Sequence, residues 1–139
     1  MRNYLGKVDI SSLNKEESIG MKGEIAFQKW FECIYQKELL FKQKADKDYL
    51  GLDFADEKGN TYQVKTTSKK TYTFNCNLEE LPQHLRAKLY VCIQIIDNFA
   101  YIENIYNSHE VLNRAKESYN YKGTCFIWAK DLQQYELEF

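Results

Sequence analysis

The stretch GLDFADEKGNTYQVKTT, residues 51–67, places three polar side chains in apolar company. Asp53 stands between Leu52 and Phe54, and Gln63 and Lys65 flank Val64. An acid, an amide and an ammonium together have a definite chemistry. A carboxylate and an amide oxygen hold a hard divalent cation whose shell water completes, and the Val64 carbonyl adds a third oxygen. The lysine polarises a metal-bound water or neutralises charge on a phosphate under attack. This donor set suits metal-assisted hydrolysis of a phosphodiester. The plain alternative is a surface hairpin with ordinary polar residues on its wet face.

The chemistry requires the three side chains to meet. Side chains alternate along a strand, so Gln63 and Lys65 share a face and Val64 takes the other. Strands are expected over about residues 50–56 and 60–68. A two-residue loop at Lys58-Gly59 would set Asp53 across from Val64; a three-residue loop, Glu57-Lys58-Gly59, sets it across from Gln63. Asp56 and Gly59 stand at the first and fourth positions of a type I turn, with Gly59 suited to the left-handed bulge of a three-residue hairpin. The sequence therefore predicts that Asp53, Gln63 and Lys65 converge, while Leu52, Phe54, Tyr62 and Val64 bury the opposite face.

Upstream, Ile19, Ala26, Phe27, Trp30, Phe31, Ile34 and Tyr35 recur at helical spacing and predict a helix over about residues 15–39. Asn14 and Glu17 have capping-box spacing. Gly20 and Gly23 each cost such a helix about 1 kcal/mol against Ala. They imply close approach by another backbone or a ligand, or a frayed first turn. Downstream, strands are expected in FKQK, TYTFNCN, KLYVCIQII (central, being apolar on both sides), FAYIENIY and GTCFIWA. SHEVLNRAKES reads as a short helix capped by Ser108, LEELPQHLR as a loop and residues 1–13 as a lead-in. The order gives one α+β domain over residues 1–139 with a mixed sheet.

D-(x)9-QxK after a helix bearing Gly23-Glu24 resembles the PD-(D/E)XK nuclease superfamily, over about residues 18–70. Similar segments occur in Mrr-type restriction nucleases, homing endonucleases of this fold and archaeal Holliday-junction resolvases. The resemblance implies an α/β/α restriction-endonuclease-like domain, a central mixed sheet flanked by helices. It implies a Mg²⁺-dependent endonuclease, with Mn²⁺ as a substitute, that cuts DNA through metal-activated water. Asp53 would be the central metal ligand, Gln63 would replace the usual acid, Lys65 would be the motif lysine, and Glu24 would assist the metal or orient water. A single site cuts one strand, so duplex cleavage implies a homodimer. Two departures stand out: no proline precedes the acid, and Gln63 removes one negative charge. The second keeps open a nuclease-like fold that does not cut, acting as a nucleic-acid- or protein-binding accessory or counter-defence factor.

The remaining features narrow the class. At 139 residues, 44% hydrophobic, the chain suits one packed core. A net charge of −1 argues against a large basic DNA face and requires a local patch. Lys69, Lys70 and Tyr72 supply candidates, two cations for phosphates and a ring for a base, if they are more than a solvated turn. His84 and Arg86 are further loop candidates, whereas His109, Trp30 and Trp128 read as structural. Cys33, Cys76, Cys92 and Cys125 have no zinc spacing and read as buried reduced thiols of a cytoplasmic protein. The opening MRNYLGKVDI has no apolar leader run. Richness in Asn, Lys, Ile and Tyr hints at an AT-rich phage or prokaryotic genome. Target sequence, and DNA versus RNA, stay open.

Overall fold

The computed structural model describes residues 4–13, 16, 18–41, 53–68, 73–77, 87–114, 116–117, 124–128 and 134–138; for Phe41, 73–77, 112–114, 116–117 and 124–128 this concerns the backbone. The expected α+β architecture is present. The main helix α1 (Ile19–Tyr35) packs against a curled six-stranded sheet, a half-barrel. The strands are β1 (Gly6–Asp9), β2 (Leu39–Phe41), β3 (Phe54–Asp56), β4 (Thr61–Thr67), β6 (Leu89–Ile96) and β7 (Phe99–Asn107). Their order across the sheet is β1-β7-β6-β4-β3-β2; β4 and β6 are parallel and every other pair is antiparallel. A second sheet has the order β5-β9-β8, from β5 (Thr73–Asn77), β8 (Lys116–Glu117) and β9 (Thr124–Trp128). Helix α2 (Ser108–Arg114) follows β7.

One face of the large sheet carries the apolar core. Phe27 of α1 lies 5.9 Å from Phe54 and 5.4 Å from Tyr62, ring centre to ring centre, and Phe31 lies 5.7 Å from Tyr62. Leu89, Val91, Ile93 and Ile95 of β6 and Ala100, Ile102 and Ile105 of β7 complete it. β6 is central, as its two-sided apolar pattern predicts; Tyr90, Cys92 and Gln94 on its other face are also buried. The close approach expected at the helix glycines occurs at Gly23 alone. A Cβ there would fall 1.9 Å from the Thr66 hydroxyl oxygen, whereas one at Gly20 would meet nothing.

Several local expectations are corrected. The helix starts later, because Ser18 rather than Asn14 caps it, its hydroxyl accepting from the Met21 N–H at 3.1 Å. It ends at Tyr35, because Gln36 turns left-handed with φ 52°. The lead-in contains an edge strand, β1, whose Gly6 lies against the Trp30 indole. Asn107, not Ser108, caps α2: its side-chain oxygen accepts from the His109 N–H at 2.9 Å. Trp30 is a core residue and Cys92 is buried, but Cys33 is exposed. The C-terminal segment forms a strap: the Tyr135 N–H donates to the Ile105 carbonyl at 2.8 Å, and Tyr135 and Leu137 pack on the core. No helix among the described residues is long and apolar enough to cross a membrane.

Candidate functional site

The hairpin turn has the three-residue form that the sequence predicts. The Asp56 N–H donates to Asn60 O at 2.9 Å, the Gly59 N–H donates to Asp56 O at 3.1 Å, and Gly59 has φ 87°. The Asp56 carboxylate, 5% exposed, fixes this turn. It accepts from the backbone N–H groups of Lys58 (3.0 Å) and Asn60 (2.9 Å), from the Asn60 amide (3.0 Å) and from the Tyr62 hydroxyl (2.6 Å). Burial, and then this bond to Asp56, pushes the Tyr62 phenol far above its ordinary pKa, so it stays a donor.

The turn sets the pairing Phe54↔Tyr62 and Ala55↔Thr61. Continued by one residue, that ladder would put Asp53 across from Gln63. The chain instead bulges there. The Asp53 N–H donates to the Tyr62 carbonyl at 2.8 Å, so Asp53 and Phe54 both stand opposite Tyr62. Strict alternation therefore stops before Asp53. Its carboxylate turns along the sheet, and Oδ2 accepts from the Val64 N–H at 2.8 Å. The side chain of Asp53 thus takes a place that a backbone carbonyl of a continuing β3 would fill.

Gln63 reaches the carbonyl of the same residue, Val64, in the next peptide group. Its Nε2 lies 3.4 Å from the Val64 carbonyl oxygen, a long and weak bond, and the residue is 7% exposed. Asp53, Gln63 and the Val64 backbone are therefore gathered at the point where β3 stops pairing with β4. Lys65 is two residues farther along β4 on the face of Gln63, half-buried and level with Cys92 of β6. Glu24 approaches β4 from the other face. It is 7% exposed and follows Gly23, the residue seated on Thr66. Lys69, Lys70, Tyr72, His84 and Arg86 lie outside the described residues, and so does the side chain of Trp128.

The groups that could hold a metal are the Asp53 carboxylate, the Gln63 amide oxygen and the Val64 carbonyl, all hard oxygens. Among the described residues no three His, Cys, Asp or Glu side chains lie together as a metal-binding group. A cation here would thus rely on an amide and a peptide oxygen beside one carboxylate, that of Asp53. Mg²⁺, which keeps several of its waters, accepts such a set. Sequence reasoning missed the bulge, since GLDF carries no glycine or polar pair at residues 53–54 to signal it. Comparison with protein-family models gives no match, and comparison with curated proteins gives none either.

Proposed function

We propose that the chain is a divalent-cation-dependent nuclease of the PD-(D/E)XK kind acting on DNA, and that its half-barrel and helix are a restriction-endonuclease-like α/β/α domain. The observation that carries this reading is the bulge, which brings the Asp53 carboxylate to the Val64 N–H, beside the Gln63 amide that lies against the Val64 carbonyl. A buried Gln63 amide beside a part-buried Asp53 carboxylate, held where two strands part, fits a ligand site better than a wet hairpin face. Asp53, Gln63 and the Val64 carbonyl would hold Mg²⁺ or Mn²⁺, while Glu24, which approaches β4 from the opposite face, would stand outside that shell. When bound, the cation supplies Lewis-acid stabilisation of the phosphate and lowers the pKa of water. Lys65 sets its ammonium against the charge that builds on the phosphate oxygens.

The deciding experiment is a panel of plasmid, linear, single-stranded and branched DNA with Mg²⁺, Mn²⁺ or EDTA. Divalent-dependent cutting is expected, and Asp53→Asn should reduce it by at least about 10²-fold. Asparagine keeps an oxygen for the Val64 N–H, so the melting temperature should stay close to that of the wild type. Binding without cutting on every substrate would favour the accessory-protein reading, to which the amide at position 63 gives its support.

Gln63→Glu tests the ligand assignment separately. A carboxylate beside the Val64 carbonyl lacks the amide donor, so the metal-free protein should be less stable. Mg²⁺ or Mn²⁺ should bind more tightly, on the order of tenfold, the scale on which ligand charge tunes such sites. Titration calorimetry on both proteins gives the answer. Equal affinities would remove residue 63 from the shell.

A further inference from the structure

Far from the bulge, but on the same face of the sheet, Tyr4, Lys7, Phe99 and Tyr101 form an aromatic patch with a cation laid across it. Lys7 is level with Tyr101 and Asp9 with Phe99, while the intervening Ala100 and Ile102 enter the core. Lys7 and Tyr101 thus face away from α1, as Gln63 and Lys65 do. The register connects the two places. Tyr101 pairs with Gln94 of β6, and Gln94 pairs with Thr67 of β4, two residues beyond Lys65. The Lys7 ammonium lies 4.0 Å over the Phe99 ring and 5.8 Å from the centre of Tyr101. Tyr4 meets Tyr101 nearly edge-on, with centroids 5.0 Å apart and planes at 73°. Tyr4 is 47% exposed, so much of the residue meets solvent.

We propose that this patch is a docking surface for single-stranded DNA, on which a base stacks against Tyr4 and a phosphate draws Lys7 from the aromatic rings. An exposed tyrosine beside an exposed cation on a sheet face is the arrangement that holds unpaired bases; a duplex hides its base faces. Of the neighbouring Asp9 carboxylate, Oδ1 accepts from the Ser11 N–H at 2.8 Å, while its charge still acts on Lys7. A chain of net charge −1 has little bulk attraction for phosphate, so stacking must carry most of the affinity. Gln94, which lies between the two places, is buried, so any link to cutting rests on the nuclease reading alone. The binding itself does not depend on that reading.

The test is fluorescence anisotropy with labelled dT15 in EDTA, where neither a metal nor cleavage contributes. The wild type should bind dT15 more tightly than a duplex of equal length. Tyr4→Ala should weaken binding about tenfold, the loss of one base stack, and Tyr4→Phe should restore it. Lys7→Ala should reduce the slope of log K against log salt by about 0.7, one single-strand phosphate contact. Tyr4 is exposed enough that its substitution should leave the melting temperature unchanged. Failure of the wild type to bind dT15, equal affinity for duplex, or unchanged affinity in both Tyr4→Ala and Lys7→Ala overturns the proposal. Binding that depends on Tyr4, with no divalent-dependent cutting on any DNA, upholds the patch and overturns the nuclease reading alone.

Discussion

Lys65→Ala should slow single-turnover DNA cleavage by a factor on the order of 10² to 10³, the usual loss when one group that stabilises developing charge is removed. The same change should leave the fold intact. Lys65 is half-buried on the sheet face away from α1, and the core is built from Tyr62 and Val64 on the other side of β4. Divalent-cation affinity should hold or rise slightly, because an ammonium is no ligand and its removal lessens repulsion. DNA affinity measured in Ca²⁺ should drop only by about one phosphate contact's share of the salt dependence. The decisive combination is unchanged binding with a collapsed rate. Cleavage as fast as that of the wild type would leave the fold standing and remove Lys65 from the mechanism.

The second large effect concerns stability. Asp56→Ala should destabilise the protein by about 3–4 kcal/mol, in the range for breaking a buried charged hydrogen-bond network. Four donors lose one acceptor at once, and the Tyr62 hydroxyl is stranded on a fully buried ring. For a domain of this size the melting temperature should fall by about 10–15 °C. Tyr62→Phe removes one donor and leaves three, so it should cost only about 1–1.5 kcal/mol. Urea denaturation of both variants makes the comparison. An Asp56→Ala cost under about 1 kcal/mol would mean that strand packing alone holds the turn. Because this turn sets the register that carries Asp53 to Val64, Asp56→Ala should also depress cleavage although the residue lies outside the site.

Much of this protein is written locally in its chain. The hairpin loop was legible because a left-handed glycine three residues after an aspartate has few other uses, and Asp56 and Gly59 adopt that geometry. The helix face, the buried β6 and the shared face of Gln63 and Lys65 follow from periodicities of 3.6 and 2, which short-range sterics impose whatever the surroundings. Three features required the folded chain. The bulge at Asp53 arises where β3 leaves β4, and strand divergence depends on the curl of the whole sheet, not on the residues GLDF. The one glycine that matters in α1, Gly23, is set apart from Gly20 only by what it meets, the Thr66 side chain. The strand in YLGKVDI was missed because four residues at a sheet edge carry too short an alternation to announce themselves. Only pairing with β7 makes them a strand, and only that pairing brings Lys7 over Phe99 and Tyr101. Local backbone preference thus decided which elements form and which way their side chains point. Long-range packing decided where two strands part, and hence which polar groups meet.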